Sequence, residues 1–85
     1  MKYRVIFVKR ARNDLATIWL EATDQSNVTM AAAKIEQELT IRPLEMGESR
    51  GSSVSRTVIY PPLAYDFEVI EDDKKVRVLH VWKLG

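Results

Sequence analysis

Residues 64–83 read AYDFEVIEDDKKVRVLHVWK, and the way this stretch folds decides the architecture of the chain. Apolar and polar side chains alternate on both sides of an acidic break, as in two half-buried strands. EDDK between them reads as a tight hairpin turn, because aspartate tolerates turn conformations. A two-residue loop at Asp72 and Asp73 sets the register: Val69 faces Val76, Phe67 faces Val78, and Tyr65 faces His80. The same register sets Glu68 across from Arg77 and Glu71 across from Lys74, both opposite-charge pairs. One face then collects Tyr65, Phe67, Val69, Val76, Val78, His80 and Trp82, while Asp66, Glu68, Arg77, Leu79, Val81 and Lys83 lie on the other. Helices are expected over the first face, which places His80 and Trp82 in the core.

Working outward, YRVIFV at Tyr3 to Val8 is β-rich and continuously apolar after Arg4, as expected of a largely covered strand. Leu15, Ile18, Trp19 and Ala22 recur at helical spacing and predict a first helix from about Arg12 to Thr23, with Trp19 buried. TDQSN interrupts it, and Ser26 or Asn27 is placed to cap a second helix carrying Val28, Ala32, Ile35 and Leu39 on one stripe. That helix ends at Arg42, because the following Pro43 disfavours helical backbone in the residue before it. EMGESRGSS reads as a loop, and a strand follows at about Val54 to Tyr60. Pro61 and Pro62 cannot donate ladder hydrogen bonds and bend the chain before the next strand. The predicted fold is α+β, in the order β-α-α-β-β-β: a small curved antiparallel sheet with a helical hairpin packed on one face.

With 85 residues the chain is expected to be one domain spanning 1–85, with modest stability. It has no cysteine and one histidine, so thiolate metal sites are excluded and a structural zinc site is not expected. No phosphate-binding glycine motif is present, and no cofactor is expected. The apolar run Val5 to Val8 is too short for a signal-peptide core or a membrane span, so a cytoplasmic protein without membrane partners is expected. Net charge is +1, yet it is unevenly spread: Lys2, Arg4, Lys9, Arg10 and Arg12 precede any acid, while the charged residues of 13–49 are acidic except for Lys34 and Arg42. Such polarity suits a polyanion or an acidic partner as well as a merely solvated surface.

YRVIFVKRARNDLATIW, with its apolar strand, basic stretch and Leu15/Ile18-Trp19 helix, resembles the opening of toxins of the RelE/ParE superfamily. AAAKIEQELTIRPLEMGESR is similar to their second helix and following loop, and AYDFEVIEDDKKVRVLHVWK to their closing hairpin. The resemblance implies the toxin of a type II toxin–antitoxin module, neutralised by a cognate antitoxin that wraps around it. It implies one of two targets: messenger RNA on the ribosome, cleaved by RelE-like members, or DNA gyrase, inhibited by ParE-like members without catalysis. The resemblance extends to plasmid stabilisation and growth inhibition as the biological setting.

RNA cleavage through the 2′-hydroxyl needs a base, an acid and fixed positive charge at the phosphorane. By the resemblance, Arg56 matches a basic strand position of the cleaving members, whereas Val58 stands where a second basic residue is expected and Tyr65 where an arginine is expected. Arg56, Tyr65 and His80 are therefore the catalytic candidates if the chain is a nuclease. Arg50, Arg56, Arg77 and Lys83 are the candidates for contact with nucleic acid or another target. Target binding without catalysis is the leading expectation; RNA cleavage and a toxin-fold interaction module without activity are the alternatives. Glu36 and Glu38, two residues apart on a helix, diverge and read as a solvated face.

Overall fold

The computed structural model describes residues 2–46, 48–49 and 55–84. A strand, β1 (Arg4–Phe7), leads into two helices, α1 (Lys9–Glu21) and α2 (Gln25–Ile41). A two-residue strand, β2 (Glu48–Ser49), precedes three longer ones, β3 (Ser55–Tyr60), β4 (Leu63–Ile70) and β5 (Lys75–Lys83). This is the expected β-α-α-β-β-β order, with β2 added inside the stretch read as loop. The sheet order is β1-β5-β4-β3-β2. β2, β3, β4 and β5 run antiparallel to their neighbours, whereas β1 joins the outer side of β5 in parallel. A parallel neighbour requires a long crossover, and the two helices begin it.

Local chemistry sets the helix ends. The β1–β5 ladder closes where the Val8 N–H donates to the Val78 carbonyl at 3.0 Å, and α1 starts at the next residue, earlier than its apolar stripe suggests. α2 is capped by Asp24, whose side chain accepts from the Asn27 N–H at 3.1 Å; the expected caps Ser26 and Asn27 lie within its first turn instead. α2 stops before Arg42-Pro43 as expected, and the Arg42 Nε donates to Glu38 at 2.5 Å across the last turn.

The core lies between the helices and one face of the sheet. α2 contributes Val28, Ala32, Ile35 and Leu39, the expected stripe, together with Ala31. The sheet contributes Tyr65, Phe67 and Val69 from β4 and Val76, Val78 and Val81 from β5. α1 is less buried than expected. β1 pairs with β5 only as far as Val78, and α1 makes its main tertiary contacts with β5. Of its residues only Ala11 is fully buried, and Trp19, expected in the core, is 40% exposed.

The hairpin keeps the expected register next to its turn: Val69 pairs with Val76, Glu68 with Arg77 and Phe67 with Val78. The turn itself is longer than two residues, a single 3₁₀ turn at Glu71–Asp73 followed by Lys74 in left-handed backbone with φ 51°. Glu71 and Lys74 still form their ion pair. Beyond Phe67 the register shifts, because β5 carries one extra residue, Leu79. Asp66 then pairs with His80, Tyr65 with Val81, Ala64 with Trp82 and Leu63 with Lys83. A bulge of this kind reverses the facing of every later residue in the strand. Val81 therefore enters the core beside Tyr65, while His80 and Trp82 turn to the open face. The expectation of a core histidine facing Tyr65 is overturned, as is that of a core Trp82. Lys83, expected on the open face, lies exposed beside the core-facing Leu63.

Candidate functional site

Residues paired across an antiparallel ladder share a face. Arg56 pairs with Phe67, and Tyr65 pairs with Val58 and Val81, so both lie on the helix side; His80 pairs with Asp66 on the other. The three catalytic candidates do not meet. Tyr65 is fully buried, edge-on to Phe7 with ring centroids 5.8 Å apart. Burial and the neighbouring Glu36 carboxylate push its phenol well above the ordinary 10.0. It is a protonated core residue. Arg56 is half-buried, and its Nε has no hydrogen-bond partner among the described residues. Arg50 lies outside the described residues. Arg77 does reach the open face, where Glu68 holds it in an ion pair.

The bulge gathers a cluster on the open face that was not foreseen. The His80 Nε2 lies 3.7 Å from Asp14 Oδ2 of α1, with the two side chains 40% and 33% exposed. The Trp82 ring leans on the imidazole, with centroids 5.2 Å apart at 33°. Asp14 Oδ2 is itself buried and makes no hydrogen bond among the described residues, so His80 is the group placed to meet it. On the neighbouring strand Asp66 accepts from the Thr57 hydroxyl. A carboxylate behind an exposed imidazole is half of a proton-transfer site. The other half, an uncommitted cation for a developing negative charge, is absent from this cluster among the described residues, since Arg77 is paired. No group of three or more histidine or acidic side chains among the described residues converges as a metal site.

A second feature lies between the two helices. α1 and α2 enclose a groove of about 630 Å³, lined by Leu15, Ala16, Trp19 and Leu20 from one helix and Val28, Ala32 and Ala33 from the other. The Trp19 Nε1 donates to Thr29 Oγ1 at 3.0 Å, tying the helices together at the hairpin end. Leu20 and the nearby Met30 are each 70% exposed. Arg12 and Glu36 stand at the opposite end of the groove. Glu38, expected to be solvated, is paired with Arg42 and Lys34, and its side chain is only 16% exposed. Glu36, expected to be solvated too, is half-buried and accepts a long 3.5 Å hydrogen bond from the Tyr65 hydroxyl. Burial holds its carboxyl above the ordinary 4.5, an effect the Tyr65 hydrogen bond offsets only in part.

The sequence itself could have pointed to both acids. Glu36 continues the Val28–Ala32 stripe at four-residue spacing, and Asp14 sits between Ala11 and Ile18 at spacings of three and four.

No protein-family model matches the chain, and no curated protein matches it by sequence. Solved structures do. A chain of the RelBE2 toxin–antitoxin complex of Mycobacterium tuberculosis superposes with a TM-score of 0.78 at 18% identity, covering 98% of this chain and 99% of that one. A free mutant of the E. coli toxin RelE gives 0.76 at 20% identity, covering 98% and 84%. A chain of the chromosomal ParDE system of P. aeruginosa gives 0.71 at 14% identity, covering 98% and 97%. At these identities the likeness establishes a shared fold from end to end.

Proposed function

We propose that this chain is the toxin of a type II toxin–antitoxin module, acting by binding a macromolecular target and held inactive by a cognate antitoxin. The observation that carries this reading is the whole-length fold likeness to chains from three toxin–antitoxin systems. The apolar groove on the helical hairpin supports it, because exposed Trp19 and Leu20 line it and form the kind of surface that a partner segment covers. Target binding without catalysis is favoured because Arg56, Tyr65 and His80 are split between two faces of the sheet. DNA gyrase is the corresponding target in a ParE-like mode.

A second reading has one observation in its favour. His80 is exposed beside Asp14 and Trp82, where an imidazole can reach a substrate and a base can stack. This keeps ribosome-bound messenger RNA as the alternative target. Inducible expression separates the two. Growth arrest with intact RNA, retained by His80→Gln, fits target binding. Arrest with cleaved RNA, lost in His80→Gln, fits the nuclease. Healthy growth under full induction of folded protein rejects both.

A further inference from the structure

Glu36 is out of keeping with the groove it lines. Apart from Arg12 and Thr29 the rest of that surface is apolar, yet a half-buried carboxylate stands at one end, reached from beneath by the hydroxyl of the buried Tyr65. Its hydrogen bond is long, and no ion pair joins it to Arg12 at the same end of the groove among the described residues. Covering the groove with a purely apolar segment would strip this carboxylate of its remaining water without return, at a cost that a buried charge makes large. An occupant that supplies a cation removes that cost and gains a charge-assisted hydrogen bond.

The groove walls also limit the backbone of whatever fills it. α1 and α2 spend their main-chain N–H and C=O groups on their own helical ladders, so the groove offers no ladder to an incoming strand. A segment lying there must satisfy its own backbone, as a helix does. Its apolar stripe would meet Trp19, Leu20 and Val28 at the hairpin end.

Resting on the reading of this groove as the antitoxin site, we infer that Glu36 is its specificity-determining residue. The matching antitoxin segment is an amphipathic helix carrying one lysine or arginine that reaches the Glu36 carboxylate. Segments of the same shape without that cation are rejected, because they leave the acid buried and unpaired.

The test uses the full chain and a displayed library of amphipathic helical peptides as the probe. Ala33→Arg, at an exposed position on the groove wall, reports whether a selected peptide sits in the groove. Glu36→Gln keeps the shape and removes the charge. Peptides blocked by Ala33→Arg are expected to carry a lysine or arginine and to bind Glu36→Gln roughly tenfold to a hundredfold more weakly. Replacing that peptide residue by methionine should cost the same factor on wild type and nothing on Glu36→Gln. Arg12→Ala should leave binding unchanged or tighten it, by removing a like charge. Groove-bound peptides that hold Glu36→Gln as tightly as wild type overturn the inference and leave the docking reading intact. So does a loss on Arg12→Ala equal to that on Glu36→Gln, since Arg12 would then be the acid's partner. Binders indifferent to Ala33→Arg, or no binders at all, overturn the docking reading and the inference with it.

Discussion

Truncating Phe67 and Trp19 to alanine should have unequal consequences, and the difference tests where the core lies. Phe67 is 0% exposed in the middle of β4, between Arg56 on β3 and Val78 on β5. An enclosed aromatic of this kind leaves a cavity when cut back, with a loss of about 4 kcal/mol. A chain of 85 residues has on the order of 4–13 kcal/mol to lose, so the Phe67→Ala protein should be near the edge of folding. Trp19 is 40% exposed on the wall of an open groove, where water can fill the space vacated. Its loss removes part of an aromatic transfer energy and one hydrogen bond to Thr29, together about 2 kcal/mol. Urea melts give the answer directly: Phe67→Ala should lower the midpoint by roughly 2 M and Trp19→Ala by about half as much. Equal losses, or a Phe67→Ala protein within about 1 kcal/mol of wild type, would refute this placement of the core.

His80→Gln should change stability by no more than about 0.5 kcal/mol in a denaturant melt, as befits a half-exposed residue; a loss above about 2 kcal/mol would mean that it fills the core after all. Asp24→Ala should cost about 1 kcal/mol through the lost cap on α2, with the helical circular dichroism signal fraying before the global melt. Glu36 gives a pH dependence of definite sign. Its folded pKa is raised above 4.5 by burial, so its contribution is most favourable below that value and is lost as pH rises through the raised pKa. Glu36→Gln should therefore raise the thermal midpoint relative to wild type at pH 7, with the gap closing as pH falls through the carboxylate range; a gap constant from pH 7 to pH 4 would show that burial does not perturb Glu36.

Much of the fold was legible because its strongest signals are local. Val69–Val76, Phe67–Val78 and Glu68–Arg77 flank the turn, where alternation and opposite charge agree on one register. Further along, that agreement ends. The run Val78-Leu79-His80-Val81-Trp82 offers apolar side chains to both faces, so alternation alone cannot tell a straight ladder from one with Leu79 as an extra residue. The choice is tertiary: the space beside Tyr65 takes Val81. The displaced His80 and Trp82 then form the open-face cluster with Asp14, a contact between α1 and β5 that neither segment announces alone.

Trp19 failed for a similar reason. Its stripe on α1 is wider than the surface that α1 covers, because the helix docks mainly on β5. The parallel pairing of β1 with β5 is likewise invisible in the residues of β1, which read as a covered strand in either direction. Among the candidate residues, Arg77 was placed correctly on the open face, whereas Lys83 and His80 exchanged sides with the bulge.

The claim at the centre of this account is the proposal that the antitoxin docks on the helical groove and not on the open face. Hydroxyl-radical footprinting of the chain, alone and in complex with the proposed cognate antitoxin, tests it directly. Trp19 and Leu20, exposed in the free chain and lining the groove, should lose their reactivity in the complex, while His80 and Trp82 keep theirs. Loss of reactivity confined to His80 and Trp82, with Trp19 and Leu20 unchanged, would contradict it.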